Sequence, residues 1–263
     1  MKRTSIACAL AAALLLGGPA AAEQGAGEPE TVHVKALRNP EVRKYTAILA
    51  GLDTFDRHHA LAPKVPELRF RIEPRHGAGL PADLRVRIEG ERDFILPIAL
   101  DAARRFSVPR SEAALDAGAE LVLNQKRHAY HVKPEVRTPG LPDNVRRLGD
   151  LRLECKVMFD IAKEEMPLLL VLTVNSLLLT RDWCSFFAVK NYNATFSFKA
   201  GAPLAEAILV EGNRSKALET VGEEFRLGLG NADWGNEALV ELRFAAPDAA
   251  LTGTAGGTPR TAP

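Results

Sequence analysis

The sequence lacks the short motifs that mark the commonest catalytic and nucleotide-binding sites. No G-x-S-x-G sets a serine on a strand-to-helix elbow. No G-x-x-x-x-G-K-[ST] loop cradles phosphates, and no G-x-G-x-x-G follows a strand; Gly228 and Gly230 lie in a hairpin pattern with no helix after them. H-E-x-x-H and C-x-x-C are both missing, so no zinc site is written locally. Neither sign of charge dominates, with 34 Lys and Arg against 33 Asp and Glu. That balance argues against sequence-independent nucleic-acid binding, which neutralises phosphates with clustered cations, and gives no sign of attraction to an anionic membrane. No apolar run reaches the roughly 20 residues that cross a bilayer.

What is present first is a leader. Lys2 and Arg3 precede an apolar stretch, Ile6 to Leu16, and Ala20-Ala21-Ala22 fits the small-x-small rule for cleavage before Glu23. Residues 1–22 are therefore expected to be a signal peptide, and the protein periplasmic or secreted. Cys8 sits inside the apolar stretch, where a lipobox cysteine does not. Loss of Lys2 and Arg3, the leader's only charges, takes the formal charge from +1 to −1. Cys155 and Cys184 remain, and an even pair in an exported chain reads as one disulfide.

Hydrophobic periodicity then divides the chain. Val42, Tyr45, Ile48, Leu49, Leu52 and Phe55 recur at helical spacing, with Asn39 suited to the N-cap and Pro40 to the first turn. The spacing predicts an amphipathic helix from Pro40 to His59 within an N-terminal helical segment, 32–62. In LRFRIEP and LRVRIEG the period changes to two, the mark of antiparallel strands with one wet face. Further strands are expected at FILPIAL, RFSVP, AELVLNQ and AYHVKPEV, which gives a first β module over 63–136. Ser111 to Gly118 reads as a helical turn or loop. Pro139, Gly140, Pro142, Asp143 and Asn144 are turn chemistry, so 137–149 reads as a linker. Arg146, Arg147, Asp150 and Arg152 crowd its end, as a solvated face or an ion-pair network.

A second β module is expected over 150–245. Leu151, Leu153, Cys155, Val157 and Phe159 alternate with Arg152, Glu154, Lys156 and Asp160, which reads as a strand with Cys155 on its buried face. NATFSFK, EAILVEG, EFRLGLG and ALVELRFA continue the strand pattern. Met166 to Leu179 is a nearly uninterrupted apolar run bracketed by charge. It is read as a buried apolar helix packed across a sheet; the alternative is an exposed apolar surface for lipid or a partner. Residues 246–263 read as a disordered tail.

Candidate metal ligands are sparse. Asp56 and His59 share a helix face at i, i+3 and could join a distant His76, whereas His128 and His131 project to opposite faces of a strand. Ser111, Ser176 and Ser185 have no local partner. Trp183, Trp234 and Tyr192 could line a ligand surface. Asn193-Ala194-Thr195 and Asn213-Arg214-Ser215 match the glycosylation sequon. No catalytic, cofactor or metal residue is assigned.

Over Leu68 to Ala245 the short alternating strands and Gly/Pro turns resemble secreted immunoglobulin-like or transthyretin-like sandwiches. The resemblance implies a fold and no function, and Trp183 lies beside Cys184 rather than between two bridged strands. The expected fold is thus mainly β, with antiparallel sandwich-like modules, an N-terminal amphipathic helix and one buried apolar helix. The expected function is that of an exported, non-enzymatic envelope protein that binds a partner protein or serves as an accessory. The alternatives are a periplasmic binder of lipid or another apolar ligand using 166–179, and a metal-dependent hydrolase using the Asp56–His59 region.

Overall fold

The computed structural model describes residues 39–75, 79–186 and 195–246, all within one unit spanning Leu37–Pro263. The leader, His76, Tyr192, the sequon asparagine Asn193 and the tail beyond 246 lie outside the described residues. The chain opens with strand β1 (Pro40–Lys44) and helix α1 (Tyr45–Arg57), followed by a short 3-10 turn, His59–Leu61. Strands β2 (Arg69–Pro74), β3 (Val86–Glu89), β4 (Ile95–Ile98) and β5 (Arg105–Phe106) come next, then α2 (Glu112–Asp116), β6 (Glu120–Lys126) and β7 (Tyr130–Glu135). Strand β8 (Val145–Arg147) runs directly into the long helix α3 (Leu148–Glu165). Helices α4 (Leu168–Leu178) and α5 (Trp183–Phe186) precede β9 (Phe196–Lys199), β10 (Leu204–Glu211), β11 (Arg214–Ala217), β12 (Glu219–Val221), β13 (Glu224–Leu227) and β14 (Leu239–Phe244).

The fold is mainly antiparallel β. Four sheets run in the orders β1-β6-β3-β4, β5-β2-β7, β11-β10-β14-β8 and β12-β13-β9. Pairing is antiparallel throughout, as between Phe70 and Pro134 of β2 and β7, or Leu209 and Val240 of β10 and β14. The alternation in LRFRIEP does what it predicts: Phe70 and Ile72 are buried while Arg69, Arg71 and Glu73 are part-exposed. Two hydrophobic clusters result. The first holds Tyr45, Ile48, Phe55, Phe70, Ile88, Phe106 and Leu121, the second Phe198, Leu209, Phe225, Val240 and Leu242.

Three readings of the sequence need correction. The N-terminal helix begins at Tyr45, not Pro40. Asn39 is left-handed (φ 65°) rather than a cap, and Pro40–Lys44 pairs with β6, Val42 facing Val122. Tertiary pairing outweighs the helical pattern over those residues. Second, Leu151–Asp160 is helix α3, not a strand. Leu148, Leu151 and Cys155 enter the second cluster, while Leu153, Val157 and Ile161 enter the first. Two i, i+4 stripes offset by two residues lie about 200° apart on a helix, so a helix buried on opposite sides mimics a strand's alternation. Gly51 lets α1 approach α3: a Cβ there would sit 2.7 Å from Ile161 Cγ1. Third, the apolar helix within 166–179 forms, but no residue of α4 is buried.

Residues 137–149, expected as a linker, carry β8 and the buried Thr138, Arg146 and Arg147. The charges there form a buried ion-pair network. Arg146 Nη2 donates to Glu154 Oε2 (2.8 Å), and Asp150, fully buried, accepts from Thr138 N (2.6 Å), Thr138 Oγ1 (2.9 Å) and Arg147 Nη1 (3.2 Å). Arg152 donates to the carbonyls of Leu229 (2.7 Å), Asn231 and Trp234 (both 3.0 Å), fastening α3 to the loop before β14.

Candidate functional site: an exposed apolar helix and the pocket at its foot

Helix α4 contradicts the rule that apolar surface seeks a core. Leu168 is 71%, Leu169 77%, Leu172 52% and Leu177 77% exposed, with Leu170 and Leu179 also open. Monomeric soluble proteins rarely leave so continuous an apolar patch uncovered unless it meets something. Its sequence explains why it is helical: leucines dominate, Pro167 occupies the N-cap, and Pro lacks the N–H that a first turn leaves idle. It stops at Leu179, which adopts a left-handed φ of 53°.

The three polar side chains within α4 are all hydrogen-bonded within the hairpin. Thr173 Oγ1 donates to Leu169 O (2.8 Å) and Ser176 Oγ to Leu172 O (3.0 Å). Asn175 Oδ1 accepts from Trp183 Nε1 (2.8 Å). Hydroxyls bonded to their own helix carbonyls present little unsatisfied polarity, which lowers the cost of leaving water. Val171, Val174, Asn175 and Leu178 are part-buried at helical spacing and mark the face turned to the fold, while the leucines on the other side lie open. At ~1.5 Å per residue its 11 residues extend about 16 Å, roughly half the hydrocarbon thickness of a bilayer. No helix among the described residues is long and apolar enough to cross a membrane.

The foot of this helix is polar and pinned. Cys155 of α3 and Cys184 of α5 form a disulfide, the pairing expected for them from the sequence. Cys155 lies on a helix rather than a strand, but it is buried as expected. The bridge closes the hairpin that carries α4. Lys163 Nζ donates to Asp160 Oδ1 and to Arg181 O (both 2.7 Å) and stands 5.2 Å above the Trp183 ring, and Lys156 pairs with Asp182. Trp183 meets Phe159 edge-on at 5.6 Å.

Around these groups opens a pocket of about 260 Å³, whose charged lining is Arg57, Lys156, Lys163 and Arg181 against Asp160 and Asp182. Its cations outnumber its carboxylates. Burial, with Lys156 and Arg57 beside it, pulls the His58 imidazole in the wall below its ordinary value, so the ring is neutral near pH 7. An apolar finger therefore rises from a net-positive socket that carries an indole.

The other candidate residues are not brought together. Asp56 pairs with Arg110 (2.7 Å). His59 Nε2 lies 2.7 Å from Val65 O, its ring against Phe55. His76 lies outside the described residues, and among those described no group of three or more His, Cys, Asp or Glu is placed to hold a metal ion. Ser111 caps α2 by accepting from Ala114 N (3.2 Å). Trp234 packs on the second cluster with Arg214 over its ring at 4.7 Å, far in role from Trp183. Asn213 sits in the exposed turn between β10 and β11. The socket residues Arg57, Lys156 and Lys163 were not singled out from the sequence. Only the charges bracketing the apolar run hinted at them.

Comparison with known proteins finds no matching family model, no matching curated protein and no matching solved structure, so the function is to be read from the chain's own residues.

Proposed function

We propose that this is an exported, non-enzymatic envelope protein that binds a lipid surface by inserting α4. The observation that carries the reading is the eleven-residue helix with no buried residue and its polar side chains folded back on themselves. Val171, Val174, Asn175 and Leu178 are part-buried toward the fold, and the leucines on the opposite side are what a lipid surface would cover. Fully burying a Leu contributes ~1.5–3 kcal/mol, so the six open leucines, weighted by exposure, carry on the order of 6–12 kcal/mol before ordering costs. That is comparable to, or somewhat above, one acyl anchor, and it supports reversible attachment rather than permanent insertion. Trp183 at the helix foot suits the headgroup level, and the surplus of Lys and Arg around it suits anionic lipid. The leader-like first 22 residues and the disulfide are compatible with an oxidising compartment, periplasmic or extracellular.

The test is co-sedimentation with vesicles of phosphatidylcholine and phosphatidylglycerol. Wild type is expected to pellet with them. Leu169→Glu/Leu172→Glu is expected to stay in the supernatant while unfolding within about 0.5 kcal/mol of wild type, because both side chains are exposed. Wild type that ignores vesicles, or a variant that pellets equally, defeats the reading.

A further inference from the structure

We infer that a second, separate pocket, between the two sheet systems, binds a small oxyanion carrying a short apolar body. The pocket is about 280 Å³ and receives Arg71, Arg105, Arg137, Arg146 and Lys199, against the carboxylates Glu135 and Asp143. Pairing accounts for three of the five cations: Arg71 with Glu73 (2.7 Å), Arg105 with Glu135 (2.6 Å) and Arg146 with Glu154 (2.8 Å). Two are left.

Arg137 donates to Pro142 O (2.6 Å), but its nearest carboxylate, Asp143, stands 3.6 Å away with a fully solvent-exposed side chain. Burial, then the neighbouring Arg146 charge, holds the Arg137 guanidinium below its ordinary value, as expected where positive charge is in excess. Lys199 has no carboxylate within 4.0 Å among the described residues, though its charge is one of those that hold the Glu73 carboxyl low. The Nε–H groups of Arg71 and Arg146 also lack an acceptor, as do those of Arg43, Arg69 and Arg75, but all are shielded from solvent and so from a ligand; it is the outer guanidinium edge of Arg137 and the Lys199 ammonium that are left to meet one.

The surplus of lining cations suits an oxyanion, and carboxylate and phosphate are the chemistries that guanidinium and ammonium groups recognise. The remaining lining is apolar. Phe225 and Leu242 are buried beneath the pocket, and Phe244, 42% exposed, stands at its rim. A bare inorganic ion would leave that shelf unused, which is why the inference includes an apolar body. The site stands apart from α4 and does not depend on the lipid reading.

Calorimetric titration at fixed ionic strength tests it, with hexanoate and hexyl phosphate as probes. Saturable binding of at least one is expected; binding of hexyl phosphate alone identifies a phosphate head, and of hexanoate alone a carboxylate. Arg137→Gln and Lys199→Gln are each expected to weaken it roughly tenfold, the loss of one charge-assisted contact. Arg243→Gln, which removes an exposed pair with Glu206, is expected to leave it unchanged. Only the backbone of Lys199 is engaged, in the β9–β13 ladder, so its side-chain variant keeps the test decisive if Arg137→Gln does not fold. Failure of both probes to bind saturably, or undiminished binding in the two pocket variants, overturns the inference.

Discussion

The Arg146–Glu154 pair offers a sharp test of how the centre of this protein is held. Both side chains are only 6% exposed, and the bond between them is 2.8 Å. Glu154 Oε2 also accepts from Val136 N (3.1 Å), and Arg146 Nη2 also donates to Val136 O (3.2 Å). Removing one partner strands a buried charge, which costs about 3–5 kcal/mol. Glu154→Leu and Arg146→Met are therefore each expected to lose that much. With a urea m-value of ~2 kcal/mol/M, each midpoint falls by roughly 2 M. The double variant removes both charges and replaces them with apolar groups of similar size. Its remaining cost is the Val136 amide and carbonyl left without partners, about 1–3 kcal/mol. The two single losses thus exceed the double loss by at least about 3 kcal/mol in the double-mutant cycle. Urea unfolding followed by circular dichroism measures all three. Additive losses, or single losses below about 1 kcal/mol, would refute the view that the pair matters mainly because each charge neutralises the other.

Reduction bears on the α4 hairpin. The disulfide joins residues 29 apart, a loop worth about 3.5 kcal/mol in the chain-entropy account, so Cys155→Ala/Cys184→Ala is expected to melt ~7–14 °C lower in calorimetry; equal melting temperatures would count against it. Acid bears on β2. Burial pushes the Glu73 carboxyl up, but Arg71 at 2.7 Å and Lys133 at 2.8 Å outweigh it and leave it below the ordinary glutamate value. Its folded pKa lies below its unfolded one, so its stabilisation is complete above the unfolded pKa and is lost as the pH falls through the folded pKa. Glu73→Gln is expected to flatten that part of a stability-versus-pH curve, and an unchanged acid limb would show that Glu73 is not among the groups responsible.

Most strands were legible because each buries one face, and a half-buried strand writes its environment in a period of two. LRFRIEP and ALVELRFA needed nothing beyond that rule, whereas AELVLNQ, central in its sheet, buries Leu121, Val122 and Leu123 in a row. Helix α3 was not legible for the same reason taken further. Cys155 and Val157 face different clusters, and nothing local distinguishes two opposed helical stripes from one alternating strand. The length of the element, 18 residues, is the feature that separates them, since strands of that length are rare. Strand β1 was hidden because its partner β6 lies some 80 residues away in sequence and Val42 continues the helical spacing of α1 back into Pro40–Lys44. For α4, composition gave the helix but not its exposure. Burial depends on what the rest of the fold offers to cover it, and the anchoring bond from Trp183 to Asn175 joins two elements whose proximity no spacing rule supplies. The arginine pocket was equally invisible, because Arg71, Arg137 and Lys199 come from three distant segments that only the sheet pairing brings together.

An apolar helix held in water is a conformational problem as well as a solubility problem. Isolated helices shorter than about 12–15 residues are marginal in water, and α4, at 11, packs on one side only, through the part-buried Val171, Val174, Asn175 and Leu178. What it has is anchorage at its base: the Cys155–Cys184 bridge, the Lys156–Asp182 pair, Lys163 on Arg181 O and the Trp183–Asn175 bond. Those contacts fix the end of the hairpin without burying its leucines. An element serving only the core would be expected to bury those side chains and gain their transfer free energy directly. Holding the finger formed and uncovered instead lowers the ordering cost at the moment of contact, which is the advantage of a preorganised binding element. It also makes the disulfide a functional restraint as much as a stabilising one: reduction is expected to weaken vesicle binding at temperatures where the rest of the fold survives, because the finger loses its fixed base before the sheets lose their cores.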